Sequence, residues 1–184
     1  MSRLLHLNGP PGIGKSTLAR RYAAEHPGVL NCDIDVLRTL IGGWEDDFVR
    51  AGALIRPAAL AMIEAYLAHG SDVVLPQMLL DRDQLARFQA AAAGVGAEYV
   101  ERVLMDSPAA AVARFHRRGA DDEDPWHDTV RDIVAINGGD AELLRCHRAL
   151  ERLLAERVDA VRIESSDGDP SATYALLLES LTQR

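Results

Sequence analysis

The chain has 184 residues, enough for one α/β domain with a full core and too few for two independent ones. Hydrophobic residues make up 48% and aromatics only 5%, so Leu, Val, Ile and Ala must build the interior. The net charge of −8, with dispersed basic residues, argues against a long polynucleotide partner, which needs a basic stripe; a pocket for one strand end survives the argument.

Short apolar runs alternate with longer amphipathic ones along the chain. Residues 4–7 read as a first strand, followed by a glycine loop and a helix over 15–25. Residues 29–32 form a second strand, ending in Asp33-Ile34-Asp35. Apolar positions recur at helical spacing from 56 to 68 and stop at His69-Gly70-Ser71. A third strand over 73–75 is closed by Pro76, a helix follows over 81–93, and 99–105 is the fourth strand. From 107 to about 157 the pattern is mostly helical, interrupted at Asp121-Asp122-Glu123-Asp124-Pro125 and at Gly138-Gly139. A fifth strand over 158–163 and a helix from 170 to 181 complete the chain.

This alternation predicts βαβ units in a single α/β domain spanning 1–184, a parallel sheet with helices on both faces, and a ligand at the carboxyl ends of the strands. The two cysteines, Cys32 and Cys146, are expected as reduced thiols in a cytoplasmic protein. The first apolar stretch runs straight into the glycine loop, unlike a signal peptide. No apolar run reads as long enough to cross a bilayer, so no membrane partner is expected.

The strongest motif is Gly9-Pro-Pro-Gly-Ile-Gly-Lys-Ser16, a Walker A pattern lying between a strand and a helix. Its glycines allow successive backbone N–H groups to curl around an anion, and the helix adds its positive end. Gly9, Gly12, Ile13, Gly14, Lys15, Ser16 and Thr17 are therefore the expected nucleotide-binding residues. Lys15 serves the β- and γ-phosphates, Ser16 holds Mg²⁺, and Thr17 supports the loop or the α-phosphate. The chain lacks the Asn-Lys-x-Asp element of a GTPase. Its third strand ends in Val73-Val74-Leu75-Pro76-Gln77 with no acidic Walker B residue, which points away from a motor ATPase.

Asp33-Ile34-Asp35-Val36-Leu37-Arg38 is the next informative stretch. Alternation along a strand lets Asp33 and Asp35 point the same way. Asp33 is then a candidate metal residue, and Asp35 a candidate acceptor for the proton of an attacking hydroxyl. The other reading of Asp35 is an N-cap of the following helix. Arg38, about one turn on, can hold an acceptor in place.

With these two motifs, Gly9 to Ser16 and Asp33-x-Asp35-x-x-Arg38, the whole chain resembles the P-loop small-molecule kinases. Those include chloramphenicol phosphotransferase-like, adenylylsulfate kinase-like, gluconate kinase and polynucleotide 5′-kinase enzymes. The resemblance implies the P-loop NTPase fold of the nucleoside- and nucleotide-kinase type, with five parallel strands in the order 2-3-1-4-5 and a helical lid over about 107–139. It places the acceptor-activating aspartate on Asp35 and the substrate-holding arginine on Arg38. Adenylylsulfate kinases carry Gly where this chain has Ile34, so their particular substrate does not transfer.

The same resemblance makes the stretch after residue 40 an acceptor wall. Trp44 offers a flat apolar contact, while Arg56 and Gln77 are further substrate-binding candidates. Glu45-Asp46-Asp47 either favours a neutral or cationic acceptor or marks a solvated helix start. Arg114, Arg117 and Arg118 resemble lid arginines that close over a triphosphate; Arg114 and Arg118 share a helix face and are the stronger catalytic candidates, together with Lys15 and Asp35. The expected reaction is transfer of the γ-phosphoryl group of ATP or GTP to a hydroxyl of a small molecule, an antibiotic or other natural product among the options. A polynucleotide 5′-hydroxyl kinase and a regulatory switch with slow hydrolysis are the alternatives.

Overall fold

The computed structural model describes residues 1–117, 125–165 and 169–182. Among these residues the elements are, in order, β1 (Arg3–Asn8), α1 (Lys15–Glu25), β2 (Leu30–Asn31), α2 (Ile34–Arg38), α3 (Phe48–Ala68), β3 (Val73–Pro76), α4 (Arg82–Gly94), β4 (Glu98–Met105), α5 (Pro108–Arg117), α6 (Pro125–Ile136), α7 (Asp140–Glu156), β5 (Val161–Glu164) and α8 (Pro170–Thr182). The strands form one parallel sheet in the order β2-β3-β1-β4-β5, as expected. β1 pairs with β3 from Leu4 opposite Val73 to Leu7 opposite Pro76, and β2 pairs on the other side of β3. A strand covered on both faces reads as a continuous apolar run. Leu4, Leu5, Leu7, Val73, Val74 and Leu75 are all buried, and Pro76 sits where the ladder ends.

Two compact units divide the chain. The first comprises residues 1–8 and 15–102, and the second residues 9–14 and 103–184. In the first, the buried polar residues of β1 are satisfied in pairs. The Nε2 of His6 lies 2.8 Å from the Gln77 carbonyl, which only accepts, so Nε2 carries the proton there. Its Nδ1 lies 2.7 Å from the Tyr99 hydroxyl and 3.4 Å from Glu101. Asn8 donates to Glu101 at 2.9 Å and exchanges hydrogen bonds with Leu79. In the second unit Phe115, Val134 and Leu143 form a buried cluster, with Val112 and Val130 packed against it.

The larger departures from the expected boundaries lie at β2, α3 and β5. β2 covers only Leu30–Asn31, although Cys32 still donates to Val74 at 2.9 Å. The chain then turns into α2, because Asp33 caps it by accepting from the Asp35 N–H at 3.1 Å. Asp33 and Asp35 therefore do not alternate along a strand, and the capping aspartate is Asp33 rather than Asp35. α3 starts at Phe48 instead of Arg56, since Asp47 caps it through the Arg50 N–H and Pro57 is accommodated inside the helix. β5 begins at Val161 because residues 157–160 close a turn, with the Ala160 N–H on the Arg157 carbonyl.

The 21 residues of α3 are long and apolar enough to cross a membrane by length and composition, contrary to the expectation. Its buried residues Ala51, Gly52, Ile55, Ala59, Ile63 and Leu67 recur at three- and four-residue intervals, the pattern of a helix covered on one side. Cys32 and Cys146 are both buried and unbridged. Burial, helped by the neighbouring Asp33 charge, pushes the Cys32 thiol up to about 12, which leaves it protonated and inert near neutrality.

Candidate active site

The phosphate loop runs from Gly9 to Gly14 and opens directly into α1 at Lys15. Gly9, Gly12 and Gly14 have φ values of +147°, +79° and +103°, a region that residues with a Cβ rarely enter. At two of them a side chain also has nowhere to go. A Cβ on Gly9 would stand 2.6 Å from the Leu104 carbonyl oxygen, and one on Gly12 would stand 3.0 Å from the Phe115 Cα. The glycines thus let the loop lie against β4 and α5, a demand separate from the room a phosphate needs. Ile13 is buried, Lys15 and Ser16 are half-buried in the first turn of α1, and Thr17 is exposed.

One carbonyl of the loop is gripped from outside it. The Ile13 oxygen accepts from Arg114 Nη2 at 2.9 Å and from the Ser165 hydroxyl at 3.2 Å. Arg114 Nη1 donates to the Ser165 carbonyl at 2.9 Å and to its hydroxyl oxygen at 3.1 Å, and pairs with Asp106 at 3.4 Å. Asp106 is itself held, its Oδ1 accepting from the Ser107 N–H and its carbonyl lying 2.8 Å from His147 Nε2. A trans peptide is planar, with its C=O and N–H pointing in opposite directions. Fixing the Ile13 carbonyl therefore fixes the direction of the Gly14 N–H. Arg114, expected at the triphosphate, is a fastener of the loop in this structure. Arg117 ends α5 on its exposed side, and Arg118 lies outside the described residues.

In the first unit, the acceptor candidates gather on α2 and α3. Asp33 is buried and its Oδ1 serves the α2 cap. Asp35 is one-third exposed and stands 3.6 Å from Arg38, one turn along. Arg38 is only 3% exposed, and its guanidinium lies 3.7 Å over the ring of Phe48. It also lies against Gly52, where a Cβ would come within 3.0 Å of Nη2. A mid-helix glycine costs about 1 kcal/mol relative to alanine; here it makes room for the arginine. Burial pulls the Arg38 guanidinium below its ordinary value, Asp35 opposes that fall, and Arg56 adds to it.

Arg56 is half-buried inside α3, two turns after Phe48. Trp44 is half-buried in the turn before α3. Glu45, Asp46 and Asp47 are exposed, and Asp47 is the α3 cap, so the acidic run is a helix start. Gln77 is buried at the end of β3, and its Oε1 meets no hydrogen-bond partner among the described residues. No group of three or more His, Cys, Asp or Glu side chains with metal-holding geometry occurs among the described residues.

A family model described as an AAA domain matches residues 4–136. The chain belongs to that AAA domain family. A search of curated protein sequences finds no match. Among solved structures, the tunicamycin resistance protein of Deinococcus radiodurans superposes with a TM-score of 0.56 at 17% identity, over 98% of this chain and 96% of that one. A Chloroflexus aurantiacus protein assigned as a kinase gives 0.67 at 18%, over 98% and 97%. A gluconokinase from Sinorhizobium meliloti gives 0.54 at 21%, over 96% and 94%. With the strand order, these show that the chain has the fold those proteins share, a P-loop fold with five parallel strands, as expected from the sequence.

The AAA domain match contains the loop, α2 and α3 but stops before Ser165. Neither Ser165 nor Asp106 is among the residues that the sequence points to as part of the site. Nothing local marks a serine about 150 residues after the loop as its anchor; only the end of β5, where the Ser165 N–H donates to Met105 at 2.7 Å, brings it there.

Proposed function

We propose that this chain is a kinase that transfers the γ-phosphoryl group of ATP or GTP to a hydroxyl of a small molecule. The observation that carries the reading is the glycine loop, with left-handed glycines and a clamped Ile13 carbonyl, opening into a helix that starts with Lys15 and Ser16. A preset array of backbone donors at a helix N-terminus suits a polyphosphate. Lys15 would neutralise the β- and γ-phosphates, and the amides of Gly12, Ile13 and Gly14 would cradle them.

The residues present fit a Mg²⁺ ion delivered with the nucleotide. Mg²⁺ keeps much of its water and takes one or two protein ligands beside phosphate oxygens. Ser16 would supply a hydroxyl and Asp33 a carboxylate, and the ion would offset charge on the transferring group. Asp35, partly exposed and beside a buried guanidinium, takes or steers the acceptor proton, while Arg38 orients the acceptor. Trp44 would add an apolar wall, and the Gln77 Oε1, with no donor on it among the described residues, would accept from a substrate hydroxyl. The segment over about 107–139 would act as the lid, with Arg118 steadying the charge developed in transfer.

The test is γ-phosphoryl transfer from labelled ATP and GTP to hydroxyl-bearing antibiotics, sugars, nucleosides and a 5′-hydroxyl oligonucleotide. Label is expected on one class of small molecule and is expected to fall by about 10²-fold or more in Asp35→Asn, the range for loss of a general base. Label confined to the oligonucleotide would make the chain an end-repair kinase. Phosphate released only to water would overturn transfer in favour of a switch.

A further inference from the structure

β1 is apolar at Leu4, Leu5 and Leu7, yet it also carries His6 and Asn8, both fully buried. Alternation along a strand puts these two side chains on one face. They reach one target, the segment that follows β3. Asn8 takes both backbone groups of Leu79, donating to its carbonyl at 3.0 Å and accepting from its N–H at 3.1 Å. His6 holds Gln77 through the bond from Nε2 to its carbonyl, at 2.8 Å. Residues 77–80 belong to no helix or strand, so these side chains supply partners that a ladder would otherwise give.

Two residues of β4 decide which nitrogen of His6 donates. With the proton on Nε2 a neutral ring accepts at Nδ1, so the Tyr99 hydroxyl donates there at 2.7 Å. Glu101 lies 3.4 Å from the same nitrogen and accepts from Asn8 at 2.9 Å, which ties the two β1 side chains together. Packing alone does not call for such a set, since apolar side chains of the same shape would fill the space at little cost in stability. What the set supplies is direction. A peptide is planar, so a fixed carbonyl also fixes the Cα atoms on either side of it.

Gln77 is the residue that this direction serves. It is 8% exposed and lies just past the carboxyl end of β3, the end of a parallel sheet at which ligands bind. Its Oε1 is buried and meets no hydrogen-bond partner among the described residues. A buried amide oxygen left open is costly, and an N–H or O–H of a ligand would answer it.

We infer that His6 is a positioning residue for the acceptor: its Nε2–H holds the Gln77 backbone so that the open Oε1 receives a neutral donor, a hydroxyl or an amine, of the acceptor molecule. This rests on the kinase reading above and adds to it the residue that aims Gln77. Fully buried, His6 acts through Gln77 and touches no reacting atom. Tyr99 keeps it in the donating tautomer.

Two measurements test it on the full chain. The first is labelled phosphoryl transfer with glucose, adenosine and chloramphenicol as acceptor probes. His6→Asn is too short to reach the Gln77 carbonyl, whereas His6→Gln can place an amide N–H near the Nε2 position. His6→Asn should lower kcat/KM for the best probe about tenfold through KM, the upper end for one neutral hydrogen bond, and leave the KM for ATP within about twofold. His6→Gln should recover most of that loss. In a Gln77→Leu background His6→Asn should cost less than about a further twofold, because the group it positions is gone. A loss carried by kcat or by the ATP KM, no recovery in His6→Gln, or full additivity with Gln77→Leu overturns the inference and leaves the kinase reading standing. If His6→Asn does not fold, Tyr99→Phe decides: a rise confined to the acceptor KM supports the inference, and an unchanged acceptor KM overturns it.

The second measurement needs no acceptor. Amide hydrogen exchange is followed by mass spectrometry in peptides covering 77–80, with α4 as the internal reference. Exchange over 77–80 should quicken at least tenfold in His6→Asn and return towards wild type in His6→Gln, while α4 stays unchanged. No change over 77–80, or an equal rise in α4, overturns the inference. If none of the three probes is labelled, exchange alone decides whether His6 fixes this segment; phosphate passing only to water then counts against the kinase reading itself.

Discussion

In the phosphate loop the fixed group is a backbone carbonyl, that of Ile13, gripped by Arg114 and Ser165. In the α2–α3 cluster the fixed group is the arginine itself, Arg38, laid between Phe48 and Gly52. Both regions spend a guanidinium and rely on glycines, yet to different ends. Arg114 directs its donors to the Ile13 and Ser165 oxygens and to the Asp106 carboxylate, so it holds geometry. Arg38 instead stands against the Asp35 carboxylate and the ring of Phe48. The residue type alone does not say which; the acceptors around it do.

The comparison breaks first at the glycines, where the largest effect is expected. Gly9 and Gly28 both have positive φ, but a Cβ at Gly28 would meet nothing within 4 Å. Gly28→Ala should cost about 1–2 kcal/mol, the penalty of a left-handed conformation alone. Gly9→Ala adds a collision with the Leu104 carbonyl and should cost about 3 kcal/mol or more, with strain of this kind reaching that range. Denaturant unfolding of the two variants checks it, and equal losses would mean that the loop does not depend on its close approach to β4.

The clamp is the next place to press. Arg114→Ala and Ser165→Ala each remove a donor from the Ile13 carbonyl. A hydrogen bond from a charged group is worth about 1.5–3 kcal/mol, so Arg114→Ala should weaken ATP binding by about tenfold or more. Ser165→Ala should weaken it by a smaller factor, and the double variant should fall short of the sum because the two groups also bond each other. Calorimetric Kd values test this. An Arg114→Ala protein that binds ATP normally and loses only turnover would instead make Arg114 a lid residue.

The smallest effect concerns Cys32. Its thiol is raised from 9.0 to about 12 in the folded chain, so above pH 9 the unfolded state sheds a proton that the folded state keeps. Stability from this group is full below about pH 9 and is lost as pH rises towards 12. Cys32→Ala should flatten the decline of unfolding free energy between pH 9 and 10.5, measured by urea titration. The native thiol should also resist alkylation at neutral pH.

Much of the fold was legible because its signals are local. The buried run of β1, the Walker A spacing and the alternation of strands with helices each lie within a dozen residues, and the sheet order follows from the resemblance they support. What misled was also local: Asp33-Ile34-Asp35 reads equally as a strand end or as a cap with a first helical turn, and only the bond from the Asp35 N–H to Asp33 decides between them. Likewise Pro57 reads as a helix start, though the cap is ten residues earlier at Asp47.

The sequence by itself determined that a phosphate loop precedes a helix, because the glycine spacing and the Lys15-Ser16 pair are contiguous. It also marked Asp35, Arg38 and Arg56 as worth testing. Only the tertiary structure decided that Arg114 holds Ile13, that Ser165 assists it, and that Gly52 makes room for Arg38. Those pairings join residues up to 152 positions apart. Chain periodicity carries no information over such separations, and the partner of a guanidinium is set by which oxygen the fold brings within hydrogen-bonding reach.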